Sequence, residues 1–124
     1  ITLYPHPMTQ SLLDLNHKIS DVKAHDFNAV LLNLYRDGKD SNGWHADNEK
    51  ELGKNPVIAS ISLGEERYFH LKHRTDKDQR IKIKLKHGSL LIMGGKMQHY
   101  WLHQIPKTTK IISPRINLTF RKIT

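Results

Sequence analysis

Residues 115–121, Arg-Ile-Asn-Leu-Thr-Phe-Arg, alternate strictly between polar and apolar side chains. Successive side chains of a β-strand point to opposite faces, so Arg115, Asn117, Thr119 and Arg121 share one face and Ile116, Leu118 and Phe120 the other. The apolar face is expected to pack into a core. The polar face is by default a solvated surface; the functional alternative is a polar-lined barrel interior, where guanidinium forks grip a dicarboxylate bidentately. From Arg115 to Arg121 an extended strand spans about 20 Å, longer than a five-carbon diacid. Both arginines can serve one ligand only if their arms fold toward each other or the strand is strongly twisted or bulged.

Outward from this strand the chain keeps the same texture. Short β-rich segments fall at 27–35 (FNAVLLNLY), 57–63, 67–72, 80–85, 89–93, 98–103 and 111–121, with breaks at Arg36–Gly43, Gly53–Pro56, Thr75–Gln79, Gly94–Lys96 and Ile105–Lys110. Only residues 9–22 read as an amphipathic helix, with Leu12, Leu13, Ile19 and Val22 near helical spacing and Thr9 or Ser11 as N-cap. Many short strands preceded by one helix predict a mainly β sandwich or barrel with that helix packed on a sheet. No repeat, low-complexity stretch or linker divides the chain, and 124 residues suit one domain.

Composition narrows the chemistry. Apolar residues make up 37% of the chain, so the core must be compact and most strands two-faced. Twenty Lys and Arg against 12 Asp and Glu leave a formal charge of +8, with a pI near 9.8. That balance favours polyanionic partners, nucleic acid first and anionic membrane surfaces second. With no cysteine, disulfides, thiolate metal sites and cysteine nucleophiles are excluded. No apolar run reaches the ~18 residues that cross a bilayer, and Ile1–Gln10 lacks the layout of a secretory signal. A monomer in the cytoplasm is expected, or in the nucleus of a eukaryote. The opening on Ile rather than Met points to residues upstream.

A metal site here must use His, Asp, Glu or water. In His45-Ala46-Asp47 an extended backbone puts imidazole and carboxylate on one side, where they can meet at one ion. Together with a distant histidine they would form the two-His-one-carboxylate facial triad of non-haem iron(II) oxygenases, which leaves adjacent positions open. The pair alone is weak evidence, because this composition yields about one His-x-acid match by chance. In 99–103 (HYWLH) both His99 and His103 could be the third ligand, and physics does not separate them. The bland alternative is that they cap a strand or cover an aromatic cluster with Trp101.

Arg80, Lys82, Lys84 and Lys86 alternate with Ile81, Ile83 and Leu85. This comb suits either a phosphate backbone or an edge strand protected from aggregation. His70, His73 and Arg74 form a second basic cluster, which either contacts nucleic acid through Arg74 or is a solvated face. Phe69 and Leu71 read as core, and Trp44 as packing rather than catalysis.

Four pieces in this order, 33–35 (NLY), 44–49 (WHADNE), His103 and 115–121 (RINLTFR), resemble the catalytic core of the AlkB family of 2-oxoglutarate- and iron(II)-dependent dioxygenases. The likeness is closest to the branch that repairs alkylated DNA and RNA bases, and it runs from about residue 27 to the end. It implies a double-stranded β-helix (jelly-roll) fold. It implies His45, Asp47 and His103, rather than His99, as the Fe(II) ligands and catalytic centre. It implies Asn33, Tyr35, Arg115, Asn117, Thr119 and Arg121 as the 2-oxoglutarate site, and Asn48 and Glu49 as residues approaching the target base. The implied reaction uses O2 and 2-oxoglutarate to hydroxylate an N-alkyl group, giving succinate, carbon dioxide and an aldehyde. Family members also carry a nucleotide-recognition lid before the barrel, and residues 1–124 are expected to be the catalytic domain without it. Two other readings remain: the same oxygenase chemistry on a protein or lipid, and a non-catalytic basic nucleic-acid-binding module.

Overall fold

The computed structural model describes residues 8–23, 27–46 and 56–123. The chain opens with helix α1 (Gln10–Lys23). Eight strands follow: β1 (Ala29–Tyr35), β2 (Asn42–His45), β3 (Ile58–Gly64), β4 (Arg67–His73), β5 (Arg80–Leu85), β6 (Leu90–Met93), β7 (Trp101–Ile105) and β8 (Arg115–Arg121). A single helical turn, α2 (Met97–Tyr100), sits between β6 and β7.

The strands form two antiparallel four-stranded sheets, ordered β1-β8-β3-β6 and β2-β7-β4-β5. Apart from the β4–β5 hairpin, consecutive strands lie in different sheets, so the chain winds between two layers. This is the double-stranded β-helix, a jelly roll.

Each sheet buries alternate residues. Between the layers Tyr35, Ile58, Phe69, Leu71, Leu85, Met93 and Ile105 form one core. A second core lies under α1, where Ile19 and Phe27 pack with Ala59, Leu118 and Phe120, and Leu12 and Leu15 lie against it. The helix therefore contacts the sheet through Leu12, Leu15 and Ile19, spaced three and four apart as one helical face requires. Leu13, expected in that stripe, is exposed. The Thr9 hydroxyl accepts the Leu12 amide at 3.4 Å, so Thr9 rather than Ser11 caps α1.

Because α1 covers the outside of the first sheet, β8 is buried on both faces over Asn117–Phe120. Its polar face is not solvated: Arg115, Asn117 and Thr119 point between the sheets. On the other face Ile116 lies beyond the helix's reach and is exposed.

Three sequence expectations need correction. Residues 98–103 are not one strand, because 97–100 close a helical turn before β7. Residues 111–114 are not strand, and β8 starts at Arg115. The expected break at Arg36–Gly43 hides the start of β2, which pairs irregularly with β7 through Asn42↔Ile105 and His45↔His103. Part of the Gly53–Pro56 break lies outside the described residues. No helix among the described residues is long and apolar enough to cross a membrane.

Candidate metal and cosubstrate site

One pocket between the sheets gathers most of the residues singled out in the sequence. His45 and His103 line one wall; Asn33, Tyr35, Arg115, Asn117, Thr119 and Arg121 line the other. Strand pairing explains the grouping. On the β1–β8 ladder Tyr35 is opposite Arg115 and Asn33 opposite Asn117. On β2–β7 the partner of His45 is His103. Both arginines line this one pocket despite the length of β8.

The two imidazoles stand edge to face, with ring centroids 4.3 Å apart. His45 Nδ1 lies 2.8 Å from the Gly43 carbonyl. With Nδ1–H donating there, Nε2 keeps the lone pair, the tautomer a metal ligand needs. His103 is 4% exposed and packs on Phe69, centroids 5.2 Å apart. Burial, helped by the His45 and Arg121 charges, pushes its imidazole down to about 4, so it is neutral at physiological pH. His99 sits exposed on α2, away from the pocket lining. The helical turn thus separates two histidines that an extended 99–103 would have aligned.

Asp47, Asn48 and Glu49 lie outside the described residues. Among the described residues no carboxylate lines the pocket.

Arg115 is the most informative side chain of the opposite wall. It is 2% exposed, its Nη2 donates to Ser62 Oγ at 2.9 Å, and its guanidinium carbon lies 5.0 Å from the Tyr35 ring centroid. Burial lowers its basicity, an effect the adjacent Tyr35 oxygen offsets, and burial raises the Tyr35 phenol. Nε and Nη1 have no hydrogen-bond partner among the described residues. A buried guanidinium with two unused donors is costly unless an anion joins it. This observation fits a carboxylate-bearing cosubstrate.

The remaining polar wall is tightly connected. Asn117 Nδ2 donates to Ser60 Oγ at 2.5 Å and to the Ile61 carbonyl at 3.2 Å, while Thr119 Oγ1 donates to Asn117 Oδ1 at 2.7 Å. Asn42 Nδ2 donates to the Tyr35 hydroxyl at 3.0 Å. These bonds fix side chains that would otherwise lose rotamer freedom on binding a ligand. Asn117 and Thr119 are therefore partly spent on the wall itself.

Sequence reasoning missed Ser60, Ser62, Asn42 and Arg67. The serines alternate inside a segment that reads as core, and their register opposite Thr119 and Asn117 was the only available signal. Arg67 is buried and donates to the Asp37, Asp40 and Pro106 carbonyls, tying β4 to the loop that precedes β2 and to the segment that follows β7. Arg74, expected to touch substrate, is exposed outside the pocket, its Nη2 donating to the Gln98 carbonyl at 3.3 Å.

Comparison with known proteins agrees with this architecture. The model of the 2OG-Fe(II) oxygenase superfamily matches residues 4–121. The human alpha-ketoglutarate-dependent dioxygenase alkB homolog 3 is 42% identical over 132 residues, covering 99% of this chain and 46% of that protein. The human DNA oxidative demethylase ALKBH2 is 38% identical over 130 residues, covering 99% of this chain and 50% of its own length. The chain thus spans about half the length of the curated relatives it matches. The solved structure of OsALKBH1 superposes with a TM-score of 0.61 over 91% of this chain and 60% of the other, at 24% identity, and so supports the fold. The chain is similar to the AlkB homologues named above, and it belongs to the 2OG-Fe(II) oxygenase superfamily.

Proposed function

We propose that the protein is an Fe(II)- and 2-oxoglutarate-dependent dioxygenase that removes N-alkyl groups from nucleobases in DNA or RNA, releasing formaldehyde from a methylated base. The observation that carries the reading is the buried, half-satisfied Arg115 in the same pocket as the His45–His103 pair. The relatives' names, a DNA oxidative demethylase and an alpha-ketoglutarate-dependent dioxygenase, supply the substrate class.

In this reading His45, Asp47 and His103 hold the iron, and the neutral state of His103 means no proton must leave it first. Arg115 binds a carboxylate of 2-oxoglutarate through its two unused donors, and Arg121 adds the second positive charge. Asn33 and Tyr35 orient the same ligand from β1, with Asn117 and Thr119 forming the wall behind it. When bound, iron and 2-oxoglutarate together supply the oxidising power that inserts oxygen from O2 into a C–H bond, with succinate and carbon dioxide as by-products. Phe69, Leu85, Met93 and Ile105 line the apolar remainder of the pocket and keep water from the reacting carbon. The hydroxylated N-methyl product then breaks its C–N bond to give formaldehyde and the restored base. A base within a duplex must first be flipped out to enter. Asn48, Glu49 and Arg74 are candidate contacts to the nucleotide.

The test is formaldehyde release from a methylated oligonucleotide by the full-length protein. Release that requires both Fe(II) and 2-oxoglutarate supports the reading. Full iron and cosubstrate binding without turnover of any methylated DNA or RNA contradicts it.

A further inference from the structure

The outer face of the second sheet carries a pattern the pocket does not use. On β4, Phe69 and Leu71 point into the core, which turns Tyr68, His70 and Lys72 outward. Their partners on β5 are Lys84, Lys82 and Arg80. β5 is an edge strand, and edge protection alone would account for its row of cations. It does not account for the rings beside them. Tyr68 is 40% exposed, with Lys82 Nζ 4.1 Å and Lys84 Nζ 5.8 Å from its ring centroid. Trp44, on β2 at the opposite edge of the same sheet, has Lys72 Nζ 4.3 Å from its ring centroid. Trp44 shares a shallow depression with His70, Arg80 and Lys82, so both rings belong to one surface. Lys84 is paired with Glu66 at 3.1 Å, and Lys72, Arg80 and Lys82 supply further positive charge.

We propose that this face is a docking surface for extended single-stranded nucleic acid, with bases stacked on Tyr68 and Trp44 and phosphates held by Lys72, Arg80 and Lys82. The chemistry is that of sequence-tolerant strand binding, where aromatic platforms alternate with cations. Outward residues recur every ~6.6 Å along a strand, a spacing suited to successive phosphates of an extended chain. In the free protein an ammonium covers each ring; a stacking base takes that place and releases the ammonium to the neighbouring phosphate. Trp44 is followed directly by His45, whose side chain faces the pocket, so a strand on this face runs past the iron site on the far side of one sheet. The inference rests on the nucleic-acid reading above and extends it: the protein holds its strand outside the pocket as well as the flipped base within it.

Fluorescence anisotropy with the full-length protein tests this, using an unmodified single strand of roughly a dozen nucleotides. Tyr68→Ala is expected to weaken binding roughly tenfold, the scale of one lost base stack. Tyr68→Phe should keep native affinity. Lys82→Glu should weaken binding and flatten its salt dependence. Turnover of a methylated trinucleotide, too short to reach this face, should be unchanged in Tyr68→Ala. Native affinity in both Tyr68→Ala and Lys82→Glu overturns the proposal, as does equal loss of trinucleotide turnover, or capture of anionic vesicles in place of the oligonucleotide. Tyr68-dependent strand binding without formaldehyde from any substrate would sink the demethylase reading and leave the docking surface standing.

Discussion

At the residue scale the account turns on Arg115 and His103. Among the described residues Arg115 Nε and Nη1 have no hydrogen-bond partner in a buried site, which suits them to an arriving carboxylate. Arg115→Gln should leave iron binding intact and weaken 2-oxoglutarate about 100-fold, the scale of two charge-assisted hydrogen bonds; cosubstrate titration reads this directly. His103→Ala should abolish iron binding, and His99→Ala should not, because His99 is exposed on α2. Away from the pocket, Asp40 accepts from the Arg36 amide and guanidinium, which hold its carboxyl down at about 2. Asp40→Asn should therefore lower the urea midpoint at neutral pH. A depressed carboxyl stabilises above its ordinary value of 3.8, and the gap should close as pH falls from there toward about 2. How legible these residues were differed by type. The His-x-Asp pair and the RINLTFR alternation were visible as patterns. The choice between His99 and His103 was not, because it depends on four residues closing a helical turn. Ser60 and Ser62 were hidden for another reason: in a strand, serine signals neither core nor site until its cross-strand partner is known.

Elements were more readable than their ends. Every strand with clear alternation or a β-branched run appeared within a few residues of its expected place, since period-2 burial leaves a direct trace. β2 left none; four residues after a turn are too few to show a period, and its pairing with β7 is irregular. The side of β8 that faces the pocket was equally undecided locally, because only α1 lying on the other side makes both faces buried. Two substitutions test the elements that set this geometry. Gly64 ends β3 at φ 94°, and a Cβ there would meet the Pro114 carbonyl at 2.5 Å, just before Arg115. Gly64→Ala should cost about 1–2 kcal/mol from the backbone conformation alone and lower Tm by several degrees. Phe120, fully buried between α1 and the sheet, should cost about 3–5 kcal/mol as Phe120→Ala, read from denaturant unfolding.

For the whole molecule, the two-sheet winding does what no single element can. It carries two histidines from the second sheet and two arginines from the first to opposite walls of one pocket. The family resemblance named these four residues from short motifs, alternation gave the β architecture, and composition alone reached only a basic, cysteine-free chain. Because the ligands bind the folded state, saturating metal and 2-oxoglutarate should raise Tm; a hundredfold excess over Kd adds about 2.7 kcal/mol. The increment from 2-oxoglutarate should fall to about 0.4 kcal/mol in Arg115→Gln at the same concentration. The most direct measurement is anaerobic equilibrium dialysis of the full-length protein against Fe(II) and 2-oxoglutarate. The account predicts one iron and one 2-oxoglutarate per chain, both lost in His103→Ala, with iron alone retained in Arg115→Gln. A native protein that binds neither, or variants that bind both as the native does, would contradict it.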